Sequence, residues 1–131
     1  MQLEILENKV KFVWGLGCFE IASELLKVDT IEEVIFSVGN TANMARVAYA
    51  AVQNGCEIEG NNVPFTLRQF QAWLNDQPEQ VGIDIVNDFQ NSVYQGRVMK
   101  DRYDEIIEIL NASNTETAEP VKKKVTRKSV K

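Results

Sequence analysis

The sequence predicts a mainly α protein of the α+β kind: an N-terminal β-hairpin followed by five or six amphipathic helices and a disordered C-terminal tail. Three observations predict it. Apolar residues alternate at every second position on both sides of a turn-forming group in the first fourteen residues. From Gly17 to about residue 110 they recur with the 3.6-residue helical period, in segments separated by capping residues. From Ala112 onward Ser, Thr, Asn, Glu, Pro and Lys dominate, with hardly any apolar residue to bury. A chain of 131 residues is long enough to bury a core without metals or disulfides. The boundaries are therefore 1–111 for a single globular domain and 112–131 for a disordered basic tail.

Leu3 and Ile5 alternate with Gln2 and Glu4, and Val10, Phe12 and Trp14 alternate with Lys11 and Val13. Glu7-Asn8-Lys9 between them reads as the turn, with Asn8 suited to positive φ. The period then changes. Phe19, Ile21, Ala22, Leu25 and Leu26 share one side of a helix, with Glu20, Ser23, Glu24 and Lys27 on the other. Gly15 and Gly17 sit at the change, where an extended chain must bend into a helix.

Thr30 and Glu33 have capping-box spacing and open a short helix through about Val38. Gly39-Asn40-Thr41 ends it and caps the next. Residues 42–53 place Met44, Ala45, Val47, Ala48, Tyr49, Ala51 and Val52 on a wide apolar arc, so this alanine-rich helix is expected at the centre of the fold. Asn54-Gly55 reads as its stop, and Cys56 to Pro64 as a loop. Thr66 and Gln69 repeat the capping-box spacing, and Leu67, Phe70, Trp73 and Leu74 form the inner face of a helix ending near Asn75. Pro78 suits the first turn of the next helix. There Val81, Ile85, Val86, Phe89 and Val93 make a stripe opposite Asp84, Asn87, Asp88 and Asn91, with Gly96 a candidate break. Tyr103, Ile106, Ile107 and Leu110 continue at helical spacing to a stop at Asn111.

The chain contains no histidine, which removes the commonest general acid/base at neutral pH and the usual partner of Ser or Cys nucleophiles. Gly15-Leu16-Gly17 would begin a dinucleotide fingerprint only with glycine at position 20, where Glu20 stands, and residues 29–53 read as helices rather than a returning strand. Cys18 at a helix N-terminus could favour a thiolate, but no histidine or nearby cation completes a nucleophilic site. Cys18 and Cys56 match no zinc or redox spacing and are expected as free, buried or half-buried thiols. The acidic groups Glu32-Glu33, Glu57 with Glu59, Asp84 with Asp88, and Asp104-Glu105 with Glu108 fall on predicted solvent faces or loops. No catalytic residue, cofactor or metal is expected, and the protein is not expected to be an enzyme.

Charge is unevenly distributed. Residues 1–119 hold eight basic against nineteen acidic residues, a net of −11, while Lys122, Lys123, Lys124, Arg127, Lys128 and Lys131 give the last twelve residues +6. Such an arm reads either as a solubilising terminus or as a nonspecific nucleic-acid contact. It lacks interleaved aromatic residues, so nucleic acid is disfavoured as a partner. No apolar run approaches the ~20 residues of a membrane span, and Met1-Gln2-Leu3-Glu4-Ile5 is no secretory leader. The chain is expected to remain in the compartment where it is made.

Leu3-Glu4-Ile5, the Glu7-Asn8-Lys9 turn, Lys11-Phe12-Val13-Trp14-Gly15-Leu16-Gly17 and the helix opening Cys18-Phe19-Glu20 together resemble the start of the tail assembly chaperones of long-tailed bacteriophages. Those small proteins begin with a hairpin and an aromatic–Gly–x–Gly–aromatic segment leading into a helix. Many of them close the first helix with an aromatic–glycine pair where this chain has Lys27-Val28-Asp29, which leaves the subfamily open. The resemblance implies a non-enzymatic chaperone of the host bacterial cytoplasm. It would bind the tape measure protein, keep it soluble, recruit tail tube protein and be absent from the mature virion. It also implies a longer product made by frameshifting, with Lys122, Lys123 and Lys124 as the position encoded by the slippery run. The stripes Val81, Ile85, Phe89, Val93 and Tyr103, Ile106, Ile107, Leu110 are the candidate surface for such a partner or for a homo-oligomer. The alternative reading is a nucleic-acid-associated phage accessory protein using the basic tail.

Overall fold

The structure, a computed structural model, describes the backbone of residues 1–118 and the side chains of residues 1–112. Its first element is an antiparallel hairpin of β1 (Gln2–Ile5) and β2 (Asn8–Lys11), in which Leu3 faces Val10 and Ile5 faces Asn8. The turn is Leu6-Glu7, both at positive φ, one step earlier than expected from Glu7-Asn8-Lys9. Register explains the difference. A two-residue turn here sets Leu3 against Val10 and Met1 against Phe12, whose N–H donates to the Met1 carbonyl at 2.9 Å. A three-residue turn at 7–9 would set Lys11 opposite Ile5. Asn8 instead starts β2, and its side-chain amide donates to the Leu6 carbonyl at 2.8 Å.

The chain bends at Gly15, the N-cap of α1 (Leu16–Leu26), whose φ of 120° suits glycine. Next come α2 (Ile31–Ser37), capped by Thr30, and α3 (Thr41–Ile58), capped by Asn40. Met44, Val47, Ala48, Tyr49, Ala50, Ala51 and Val52 are all buried, so α3 is the central helix, and α1 is its main neighbour. Asn54-Gly55 does not stop it; the helix runs on to Ile58 and takes in Cys56. The reason is packing. The segment leaving β2 lies across this part of α3, with the Val13 N–H on the Ala51 carbonyl at 3.1 Å and the Asn54 amide on the Val13 carbonyl at 2.9 Å. A Cβ at Gly55 would sit 2.7 Å from the Lys11 carbonyl oxygen, and one at Gly17 would overlap the Asn54 amide. Glycine serves here for close approach rather than as a breaker.

Helix α4 (Leu67–Asn75) carries the full Thr66/Gln69 capping box. It docks on α3 through Phe70 and Phe65, which pack with Tyr49, and the Tyr49 hydroxyl donates to the Phe65 carbonyl at 2.9 Å. Pro78 is the N-cap of α5 (Glu79–Asn91) rather than a first-turn residue. The stripe expected to run on from α5 does break near Gly96, because a second tight hairpin intervenes. Strands β3 (Val93–Tyr94) and β4 (Arg97–Val98) meet across Gln95 and Gly96, both at positive φ. Helix α6 (Met99–Ala118) then continues past the stop expected at Asn111. Nothing after Asn111 breaks a helix until Pro120, and the backbone stays helical to Ala118. The remainder of the expected tail, from 119 on, lies outside the described residues. No helix among the described residues is long and apolar enough to cross a membrane.

Candidate functional site

The corner at Gly15-Leu16-Gly17-Cys18 is a packing joint. Cys18 is fully buried between α1 and α3, its sulfur 3.6 Å from the Val47 carbonyl, and burial pushes its thiol up to about 12. A thiol held protonated in this way is no nucleophile at neutral pH. Cys56 is half-buried; burial, then Glu59 and Glu57, raise its thiol as well. Both cysteines are free. Among the described residues no group of three His, Cys, Asp or Glu side chains is placed to hold a metal ion. Glu32, Glu33, Glu57, Glu59, Asp84, Asp104, Glu105 and Glu108 are exposed. Asp88 departs from the solvent face expected for it. Its carboxylate accepts the Trp14 indole N–H at 2.7 Å and lies 3.4 Å from the Met1 amino group. Trp14 in turn sets its ring against Phe12 and edge-on to Phe89, which ties the opening segment to α5.

The candidate partner residues separate into two groups. Ile85 and Phe89 are 0% and 1% exposed: they close the core beneath α5 and are shut to any partner in this fold. Val81 is half-buried against the same core, and Val93 stands on β3, 63% exposed and opposite Val98. On α6, Tyr103, Ile106 and Ile107 are half-buried and Leu110 is exposed. Lys122, Lys123 and Lys124 lie outside the described residues.

Tyr103 and Ile107 meet something the period of α6 could not reveal. A groove of about 620 Å³ runs between α2, the α2–α3 turn and α6, lined by Val28, Phe36, Gly39, Asn43, Tyr103 and Ile107, with Glu33 at its edge. A second cavity of about 290 Å³ shares Tyr103 and Gly39 with it and is lined further by Val38, Met44 and Val86. Phe36 is 43% exposed, a large apolar side chain left open to solvent beside the groove. Phe36 and Val28 did not stand out in sequence. A phenylalanine on the polar side of a short helix, next to Glu32 and Glu33, was the signal available for one of them. What this arrangement offers chemically is an open, greasy slot with carboxylates beside it. No family model matches the chain, and no curated protein or solved structure does either.

Proposed function

We propose that the protein is a tail assembly chaperone of a long-tailed bacteriophage. In this reading it acts in the host bacterial cytoplasm, holds the tape measure protein in solution and brings tail tube subunits to it, without catalysis. The observation that carries the reading is the open groove between α2 and α6, in a chain of net charge −5 whose residues 1–119 carry −11. A protein that holds a greasy helical client needs unpartnered apolar surface, and strong net charge of one sign keeps the complex apart from others. The resemblance of residues 3–26 to the family's opening segment supports the same conclusion. The exposed Ile109 and Leu110 extend apolar surface along α6 beyond the groove.

Co-expression tests it. A helical fragment of the tape measure protein from the same genome should move into the soluble fraction when this chain is present. Equal aggregation with and without it, at matched expression, would overturn the proposal.

A further inference from the structure

We propose that the groove between α2 and α6 seats a short amphipathic helix whose apolar residues are flanked by lysine or arginine. Its apolar lining is Phe36 and Val28 on one wall and Tyr103 and Ile107 on the other, with Ser37, Asn40 and Asn43 adding polar atoms. A slot of about 620 Å³ takes the few side chains that one helix face presents at i, i+3 and i+4. The surroundings are acidic. Glu33 lines the groove, Glu32 sits one turn before Phe36 on α2, and Asp29 follows Val28. Asp104 and Glu108 lie one turn apart on α6. The cations nearby are fewer. Lys100 is bound to Asp104 at 3.1 Å, Arg102 lies over the Tyr94 ring and donates to the Tyr94 carbonyl at 3.1 Å, Arg46 donates to the Ala42 carbonyl of its own helix at 3.4 Å, and Lys27 stands next to Val28. The net charge of −11 over residues 1–119 deepens the negative potential. The same face of a second copy would bring the same carboxylates to the contact and a nucleic acid would bring phosphates, so both meet like charge. An apolar helix with basic flanks meets grease on the floor and opposite charge at the rim. For the identity of its natural client this inference rests on the chaperone reading; the chemistry of the groove does not.

The test uses the full chain and two synthetic helical peptides with one apolar face, flanked by lysine in one and by glutamate in the other. The lysine peptide should bind at least tenfold more tightly, and its affinity should fall as salt rises. F36S and I107S should each weaken it about tenfold, with the far-ultraviolet circular dichroism of the free protein unchanged. The pair E32K/E108K, at two exposed positions, should erase or reverse the preference between peptides. Equal binding of both peptides, no binding of either, or indifference to all these variants overturns the groove assignment. Tape measure fragments can be solubilised equally by wild type and by F36S/I107S; the chaperone reading then survives and the groove assignment falls. If the lysine peptide is selected as described but no tape measure fragment is solubilised, the groove stands and the chaperone reading falls.

Discussion

Cys18 shows what a single buried side chain imposes on the whole equilibrium. The folded chain holds its thiol protonated up to about 12 against an ordinary 9.0, because a thiolate there would be stripped of water. Between those values the unfolded chain binds fewer protons than the folded one. The stability is therefore complete below about pH 9 and drains away as pH rises towards 12, by at most about 1.4 kcal/mol per pH unit. Cys56 and Tyr49 are raised too, Tyr49 by burial first and then by Cys56, so they add to the same trend. The urea midpoint should fall between pH 8 and pH 10, and fall less steeply in C18A. In native protein at neutral pH an alkylating reagent should modify half-buried Cys56 well before Cys18. Equal rates at the two thiols would mean that α1 does not seal Cys18 against α3.

Between elements, the decisive joint is the seam where the segment after β2 crosses α3. Gly55 lets the Lys11 carbonyl approach, and Asn54 ties down the Val13 carbonyl. G55A places a methyl carbon 2.7 Å from a backbone oxygen, which cannot rotate away as a side chain could, so the hairpin must lift. The expected loss is about 1–3 kcal/mol, read from the urea midpoint, with an equally stable variant ruling the seam out as a tight contact. This seam also marks the limit of what sequence patterns disclose. Caps and periods report on one element at a time. Thr30, Asn40 and Thr66 announced three helix starts, and the alanine-rich arc announced the central helix, because those signals are local. Asn54-Gly55 carried the local signature of a stop, yet the Val13 carbonyl that Asn54 holds lies 41 residues away, just after the hairpin. The α2–α6 groove was partly visible for the same reason: Tyr103 and Ile107 belong to a recognisable stripe, whereas Val28, just before α2, and Phe36, on it, become their neighbours only where α2 packs against α6. Ile85 and Phe89 showed the converse, a stripe indistinguishable from a binding face until α6 and Trp14 covered it.

Over the whole molecule, charge and burial pull in opposite directions. The core is continuous, from Phe12, Trp14 and Phe89 at one end to Tyr49, Phe65 and Phe70 at the other, and α6 joins it through fully buried Met99. Around that core the acidic residues repel one another, and exposed pairs such as Lys11–Glu59 and Arg97–Glu105 offset little of it. Screening should therefore help the fold. At about 0.2 M salt the Debye length shrinks below 10 Å, and the thermal midpoint should rise by a few degrees relative to about 0.01 M. An unchanged or lower midpoint would mean that the negative field costs the fold nothing. A docked cationic helix responds the other way, since its attraction to Glu33 in the groove and to Glu32 and Glu108, which adjoin lining residues in sequence, is screened by the same ions. One salt titration, followed by melting in the absence of peptide and by affinity in its presence, should give two trends of opposite sign. Parallel trends would place the peptide on a surface that the acidic body does not govern.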